Sequence, residues 1–402
     1  MVIRMKIAGI IAEYNPFHSG HLYHIRQTRR AGYTHIAVVM SGNFTQRGEP
    51  ALLPKRERCA MALACGADLI LELPAAWAVS SAQQFAAGGV SVLDALGCVE
   101  ALSFGSETGD LAALRCEAEL LETLEGSAEL RTQLGSGVSY PTALENAARS
   151  LTGTAPAPRD RPNDILAREY LRALRRSAMR PLAVLRQGAR HDGEKAERGS
   201  ASASHIRALI TQGHVRQALA CMPQASAHLL DTALREGCAP VDLQLYERLV
   251  LSRLRSMDTA ALRALPDVAE GLENRLLAAA REATGLPEFY ALVKSKRYTL
   301  ARIRRIAAAA FLGIPAGMSA SPVPYLRVLG FNGRGLEILR AAGHTARLPV
   351  VSRHAEMAPL GDFARTVYRL ECRVSDQYAL CLPRAQQGGR EQKWSPVRGG
   401  DA

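Results

Sequence analysis

The stretch Ile7-Ala8-Gly9-Ile10-Ile11-Ala12, then His18-Ser19-Gly20-His21, then Leu22-Tyr23-His24-Ile25-Arg26 sets out in order a buried strand, a turn with a glycine between two histidines, and a helix start. A helix N-terminus behind a strand is a place to hold an anion. Its backbone N–H groups and dipole favour negative charge, and a glycine removes a side chain where a ligand approaches closely. His18 and His21 are spaced so that both imidazoles can donate to phosphate oxygens. Two histidines in a turn also occur as solvated or core-satisfied residues, so the context decides between these readings.

Further short apolar runs lie at His35 to Met40, Asp68 to Leu73 and Ala101 to Phe104, each separated by a helix-like segment. This alternation predicts an α/β, Rossmann-like domain with a parallel sheet and helices on both faces. Ligands bind beyond the C-terminal ends of such strands. The segments Asn15 to His21, Ser41 to Glu49 and Gly105 to Glu107 fall there. A helix over Asn163 to Arg175 and a strand over Pro181 to Leu185 extend the pattern. The Pro-rich Thr152 to Arg161 stretch and the polar Gly188 to Ala201 stretch read as loops.

A second motif comes later, Ser202-Ala203-Ser204-His205-Ile206-Arg207, opening another helical stretch. Either serine reads simply as an N-cap. Two hydroxyls, new backbone donors and an arginine in one turn also suit the outer phosphates of a nucleoside triphosphate. A boundary at Cys221-Met222-Pro223 divides the chain into a nucleotide domain over 1–222 and a mainly helical, basic domain over 223–382. The Gln- and Gly-rich tail, 383–402, reads as disordered.

The chain has 402 residues, 48% of them hydrophobic, which is enough for proper cores. Its 50 Lys and Arg against 38 Asp and Glu give a formal charge of +12, favouring a polyanionic partner, although an Arg- and Ala-rich composition also follows genomic base bias. Between Phe289 and Leu312, Lys294, Lys296, Arg297, Arg302, Arg304 and Arg305 are grouped beside Tyr298, and the sequence leaves open a solvated face or a contact to a nucleic-acid backbone. Cys59, Cys65, Cys98, Cys116, Cys221, Cys238, Cys372 and Cys381 form no CxxC pair, so they read as reduced packing residues rather than a metal site or disulfide framework. No stretch has the length and apolarity of a membrane span, and no cleavable signal pattern precedes the first strand. The expected compartment is the cytoplasm.

The two motifs resemble the HxGH and ISSTxIR signatures of the HIGH-type nucleotidyltransferase superfamily. Longer blocks narrow the resemblance: Ile11 to His18 (IAEYNPFH), Met40 to Pro50 (MSGNFTQRGEP), Asp68 to Pro74 (DLILELP), Ser103 to Glu107 (SFGSE), Pro162 to Leu166 (PNDIL), Lys296 to Thr299 (KRYT) and Arg327 to Asn332 (RVLGFN). Together they are similar to the bacterial tRNA(Met) cytidine acetate ligase family over about residues 5 to 382. The resemblance implies that acetate and ATP give acetyl-adenylate and pyrophosphate. The acetyl group then passes to the exocyclic amine of the wobble cytidine of elongator tRNA(Met), leaving N4-acetylcytidine and AMP.

Carried over onto this chain, the resemblance implies an ATP site formed by Ile11, Ala12, Glu13, Tyr14, Asn15, Pro16, Phe17, His18, Ser19, Gly20, His21, Leu22, Tyr23 and His24, with Gly105, Asn163 and Arg186. His18 and His21 take the catalytic phosphate contacts. Ser202, Ser204 and Arg207 take the outer phosphates, with Mg²⁺ bridging these and no metal ligand expected from the protein. Lys296, Arg297, Arg302, Arg304 and Arg305 are the candidate tRNA contacts. Asn163 can also be read as a helix cap, and Ser41 to Gly48 as a loop closing over the intermediate. Two competing functions share parts of this pattern. A cofactor-type adenylyltransferase acting on a small acceptor has no evident use for the basic extension, and a noncatalytic tRNA-binding protein has none for both phosphate motifs.

Overall fold

The computed structural model describes residues 4–153, 161–186, 202–269 and 271–400. Its centre is a sheet of β1 (Ile7–Ala12), β2 (His35–Ser41), β3 (Leu69–Leu73), β4 (Ala101–Ser106), β5 (Arg180–Leu185), β6 (Leu326–Phe331), β7 (Val350–Val351) and β8 (Val397–Arg398). The order is β5-β4-β1-β2-β3-β6-β7, with β8 beside β6. β1 to β5 run parallel, as the alternating apolar runs predict. The strand order reverses about β1, which has β2 on one side and β4 on the other, so the crevice for a ligand opens at its C-terminal end.

These strands are apolar because both faces are covered. β2 and β3 are buried throughout, and the one charged side chain of β3, Glu72, meets a buried lysine, Lys55. Helix α1 (Ser19–Arg30) leaves β1 through the histidine turn, and α2 (Lys55–Ala64) precedes β3. The expected Thr152 to Arg161 and Gly188 to Ala201 loops lie largely outside the described residues.

The sheet is not confined to the residues before the boundary at 222. Helices dominate from Gln224 to Leu312, but β6 then pairs antiparallel with β3, Leu69 opposite Phe331. All six residues of β6 are buried, and their pairing covers an edge that β3 would otherwise expose. The tail is likewise ordered up to residue 400 rather than disordered. Val397 and Arg398 pair in parallel with Gly330 and Phe331, and the Arg398 guanidinium lies 4.0 Å from the Phe331 ring centroid.

Burial of Glu391 anchors this tail. Glu391 is only 2% exposed and accepts from Lys55 Nζ at 2.8 Å and from Ser375 Oγ at 2.9 Å. Lys55 Nζ also reaches Glu72 Oε1 at 2.6 Å, and buried Arg327 lies 3.4 Å from Glu391 Oε1. Burial acts to lower the Lys55 pKa, but the facing carboxylates, Glu391 first, outweigh it and hold it up. Burial acts to raise Glu391, and Lys55 and Arg327 outweigh it, so this carboxyl is held down. Glu371 accepts from Ala75 N–H at 2.6 Å, but this and the Lys55 charge do not offset its burial. Burial, followed by the neighbouring Glu72 charge, pushes it well up.

Candidate active site

His18 is the N-cap of α1. Its Nδ1 accepts from Gly20 N–H at 3.0 Å, while His21 Nδ1 accepts from His18 N–H at 3.2 Å. This is a reciprocal capping box built from two imidazoles in place of a hydroxyl and a carboxylate. It has a chemical consequence. A neutral imidazole with Nδ1 serving as acceptor carries its one proton on Nε2, so both rings are set as Nε2–H donors.

The rings are stacked with centroids 3.8 Å apart. Tyr14 and Phe17 pack against His21 at 4.8 and 5.4 Å and hold its orientation. Burial, and then the Arg186 and Arg207 charges, lower the His18 pKa to about 3. Burial, then His18 and Arg186, take His21 well below its ordinary value. Both are therefore neutral donors at physiological pH. Gly20 is required by close packing, since a Cβ there would lie 2.8 Å from His18 Cε1. The amide donors of this helix start are partly used internally: the Gly20 N–H goes to His18 Nδ1 and the His21 N–H to His18 O. Fewer of its amides are then left for an anion, and the two imidazole Nε2–H groups stand beside those that remain.

The rest of the Ile11 to His24 segment is mainly framework. Ile11 and Ala12 end β1, and Tyr14 to His18 are buried. Glu13 Oε1 accepts from Gln46 N–H at 2.7 Å, and Asn15 Oδ1 from Leu52 N–H at 2.7 Å. Leu22 packs on the core beside β1 and β2, and Ser19 Oγ donates to Cys221 O at 3.2 Å. Tyr23 is half-buried on α1, as is His24, whose Nε2 meets Ser103 Oγ at 2.8 Å.

The serine motif docks on this turn. Ser202 caps helix Ala203–Thr211, accepting from His205 N–H at 3.2 Å, and its Oγ lies 3.0 Å from Ser204 Oγ. Arg207 Nη1 donates to Asn15 O at 2.8 Å, tying the second motif to the first. Burial lowers the Arg207 pKa, while Glu49 and Glu13 oppose that shift.

At the end of β4, Glu107 and Asp164 clamp the strand to helix Pro162–Leu174. Asp164 N–H donates to Glu107 Oε2 at 2.8 Å, and Asp164 Oδ1 accepts from Ser106 Oγ at 2.6 Å and Glu107 N–H at 2.9 Å. Asn163 is not the cap of this helix, a position held by Arg161. Its side chain bonds Glu107 Oε1 and accepts from Arg186 Nη1 at 2.9 Å. A Cβ on Gly105 would stand 3.4 Å from Arg186 Cγ. Gly105, Asn163 and Arg186, far apart in sequence, thus meet at one edge of the crevice.

Ser41 to Gly48 differs from the expected mobile loop. Ser41 to Thr45 and Gly48 are buried, and Phe44 packs among Tyr246, Phe311 and Tyr378. Fully buried Arg58 donates to the carbonyls of Glu13, Ser41, Gly42 and Leu53, fastening this loop to the end of β1. Gly48 has φ +75, and a Cβ there would come within 2.7 Å of the Arg304 backbone. Only the tip is accessible, with Gln46 half-buried and Arg47 exposed. No local signal marks Arg58 in the sequence, because most of the carbonyls it meets lie in distant segments, that of Glu13 on the other side of β2.

The basic helix also departs from a uniformly outward charged face. Arg302 donates to Asp267 O at 2.9 and 2.7 Å, Arg305 pairs with Asp267 Oδ2 at 3.0 Å, and Arg304 pairs with Glu49 at 2.9 Å. Lys296 and Arg297 lie exposed before the helix. Among the described residues, no group of three or more His, Cys, Asp or Glu is placed to hold a metal ion, and no helix is long and apolar enough to cross a membrane.

Fold and site together define a nucleotidyltransferase-type crevice, and comparison with known proteins agrees. The family model described as HIGH Nucleotidyl Transferase matches residues 5–393. The tRNA(Met) cytidine acetate ligase of Alkaliphilus metalliredigens is 36% identical, covering 94% of this chain and 95% of its own. That of Caldanaerobacter subterraneus subsp. tengcongensis is 37% identical over the same shares, 94% and 95%. The crystal structure of Thermotoga maritima TmcAL bound with alpha-thio ATP matches with TM-score 0.90 at 31% identity, covering 99% of this chain and 100% of that one. Its apo form matches with TM-score 0.91, at the same identity, 31%, and the same coverage, 99% and 100%. The chain belongs to the tRNA(Met) cytidine acetate ligase family.

Proposed function

We propose that the protein activates acetate with ATP and transfers the acetyl group to N4 of the wobble cytidine of elongator tRNA(Met). The observation that carries this reading is the pair of neutral, stacked imidazoles at the start of α1, each fixed as an Nε2–H donor by a backbone contact to its Nδ1. An acetate oxygen attacks the α-phosphorus and the bond to the pyrophosphate oxygen breaks. Acetate is already ionised at neutral pH, so the step needs positioning and charge stabilisation rather than a base. His18 and His21 donate to the phosphate oxygens as charge moves toward pyrophosphate. Neutral donors do this without giving up a proton.

Ser202, Ser204 and Arg207 hold the outer phosphates, and Gly105, Asn163 and Arg186 line the nucleoside edge. Mg²⁺ carried on the triphosphate would neutralise phosphate charge, and the paired Ser202 and Ser204 hydroxyls are the protein oxygens that would face it. In the second step the cytidine amine attacks the acetyl carbonyl carbon, the bond to the adenylate oxygen breaks, and the amine loses a proton as AMP departs. Exposed Lys296 and Arg297, with Arg302, Arg304 and Arg305 behind them, supply the tRNA backbone contacts. ATP–pyrophosphate exchange tests the activation step. Exchange that requires acetate supports it, whereas exchange indifferent to acetate points to a small-acceptor adenylyltransferase.

A further inference from the structure

His24 lies three residues beyond His21 on the same face of α1, but its hydrogen bonding is reversed. Behind it are two fully buried hydroxyls, Thr28 and Ser103, the latter on β4 opposite Ile10 of β1. Thr28 Oγ1 donates to His24 O at 3.0 Å. A hydroxyl has one hydrogen, so in the 2.7 Å contact between Thr28 Oγ1 and Ser103 Oγ the serine must donate. With that hydrogen used, Ser103 can only accept in its 2.8 Å contact with His24 Nε2, and the ring proton is therefore on Nε2. Burial first, then the Arg186 charge, lower the His24 pKa to about 4, so the ring has no second proton. Its Nδ1 is left with a bare lone pair that has no hydrogen-bond partner among the described residues.

The α1 face therefore presents His18 and His21 as donors and His24 as an acceptor. A phosphate oxygen has only lone pairs to offer and cannot bond to such a nitrogen. We infer that Ser103 and Thr28 are positioning residues that lock His24 as an acceptor, and that its Nδ1 takes a hydrogen bond from a hydroxyl or amine of the bound nucleoside. The inference rests on the nucleotide reading of this site. In ATP the donors of that chemistry are the ribose 2′ and 3′ hydroxyls and the adenine 6-amino group. A nucleoside in this position also gives the relay a reason to join helix to sheet. β4 carries Ser103 and, two residues on along the same face, Gly105 at the nucleoside edge.

The test has two arms. In the first, long-range ¹H–¹⁵N NMR of the histidine-labelled full chain reads the His24 tautomer directly. The expected result is Nε2–H with an unprotonated Nδ1 in the wild type and tautomer mixing in Ser103→Ala. In the second, calorimetry compares binding of ATP with 2′-deoxyATP, 3′-deoxyATP and the triphosphate of purine riboside, which lacks the amine. Wild-type protein should lose about tenfold in affinity for one of the three analogues, the scale of a single hydrogen bond. Ser103→Ala should shrink that one discrimination to about twofold and leave the other two unchanged. A wild-type His24 protonated on Nδ1 overturns the inference, even if the variant fails to fold. So does an identical analogue pattern in wild type and variant while ATP still binds. Wild-type protein that binds no ATP removes the nucleotide reading itself, and the inference with it.

Discussion

The histidine turn and the C-terminal tail both bury polar groups, but they do so in opposite ways. The turn uses neutral rings, each satisfied by a backbone N–H within three residues. The tail brings Glu391 across the sheet to Lys55 and Arg327, full charges that only long-range folding brings together. The first arrangement is inexpensive to bury and leaves a donor over for chemistry. The second has its charges consumed by one another and serves to fasten the chain's end to its centre.

The largest effect that separates the two regions is expected at Glu391. Glu391→Ala leaves Lys55 and Arg327 short of a buried counter-charge, and such losses cost about 3–5 kcal/mol. Denaturant unfolding should show the midpoint fall at constant slope. An unchanged midpoint would mean that the tail is not held by this ion cluster.

Next comes His21→Ala. It should raise the barrier to acetyl-adenylate formation by about 2–4 kcal/mol, the scale of one transition-state donor, and cost only about 1 kcal/mol of stability through the lost cap. Near-normal pyrophosphate exchange in this variant would remove His21 from the chemistry.

A pH comparison sharpens the contrast further. His18 is lowered to about 3 and His24 to about 4, so the unfolded chain binds protons that the folded chain does not as pH falls below the ordinary histidine value near 6.5. Stability from these groups is therefore fully present above about pH 6.5 and declines progressively toward pH 4. Since the active rings are already neutral, acetyl-adenylate formation should not fall as pH rises from about 6.5 to 8.5. A rate that decays through that window would indicate a required imidazolium. The smallest effect is expected on the outer surface. Replacing Lys296 and Arg297 together by alanine should weaken tRNA binding and lower its log–log salt slope by about 1 to 2; an unchanged slope would place the tRNA elsewhere.

The contrast also explains what could be read from the sequence. The β1 to β5 sheet and the two motifs were legible because apolar runs, caps and histidine spacing are local signals. The reciprocal imidazole caps and the tautomers they impose were not legible, because the His18 and His21 spacing shows only that both rings stand at the helix start. β6 was assigned to a separate helical domain because nothing local marks a strand as antiparallel partner to β3. The tail looked disordered because its composition is polar, yet buried Glu391 with distant Lys55 and Arg327, and the pairing of β8 with β6, order it. The pairing of Arg302, Arg304 and Arg305 within the chain was not legible beside the two open readings, tRNA contact or solvated face, because their partners, Asp267 and Glu49, lie far away in sequence.

The most direct test of the central claim is to incubate the protein with ATP, Mg²⁺, labelled acetate and elongator tRNA(Met), and to analyse the nucleosides of the recovered RNA. Label in N4-acetylcytidine at the wobble position, dependent on ATP, is the predicted result. Pyrophosphate release without labelled RNA would contradict it.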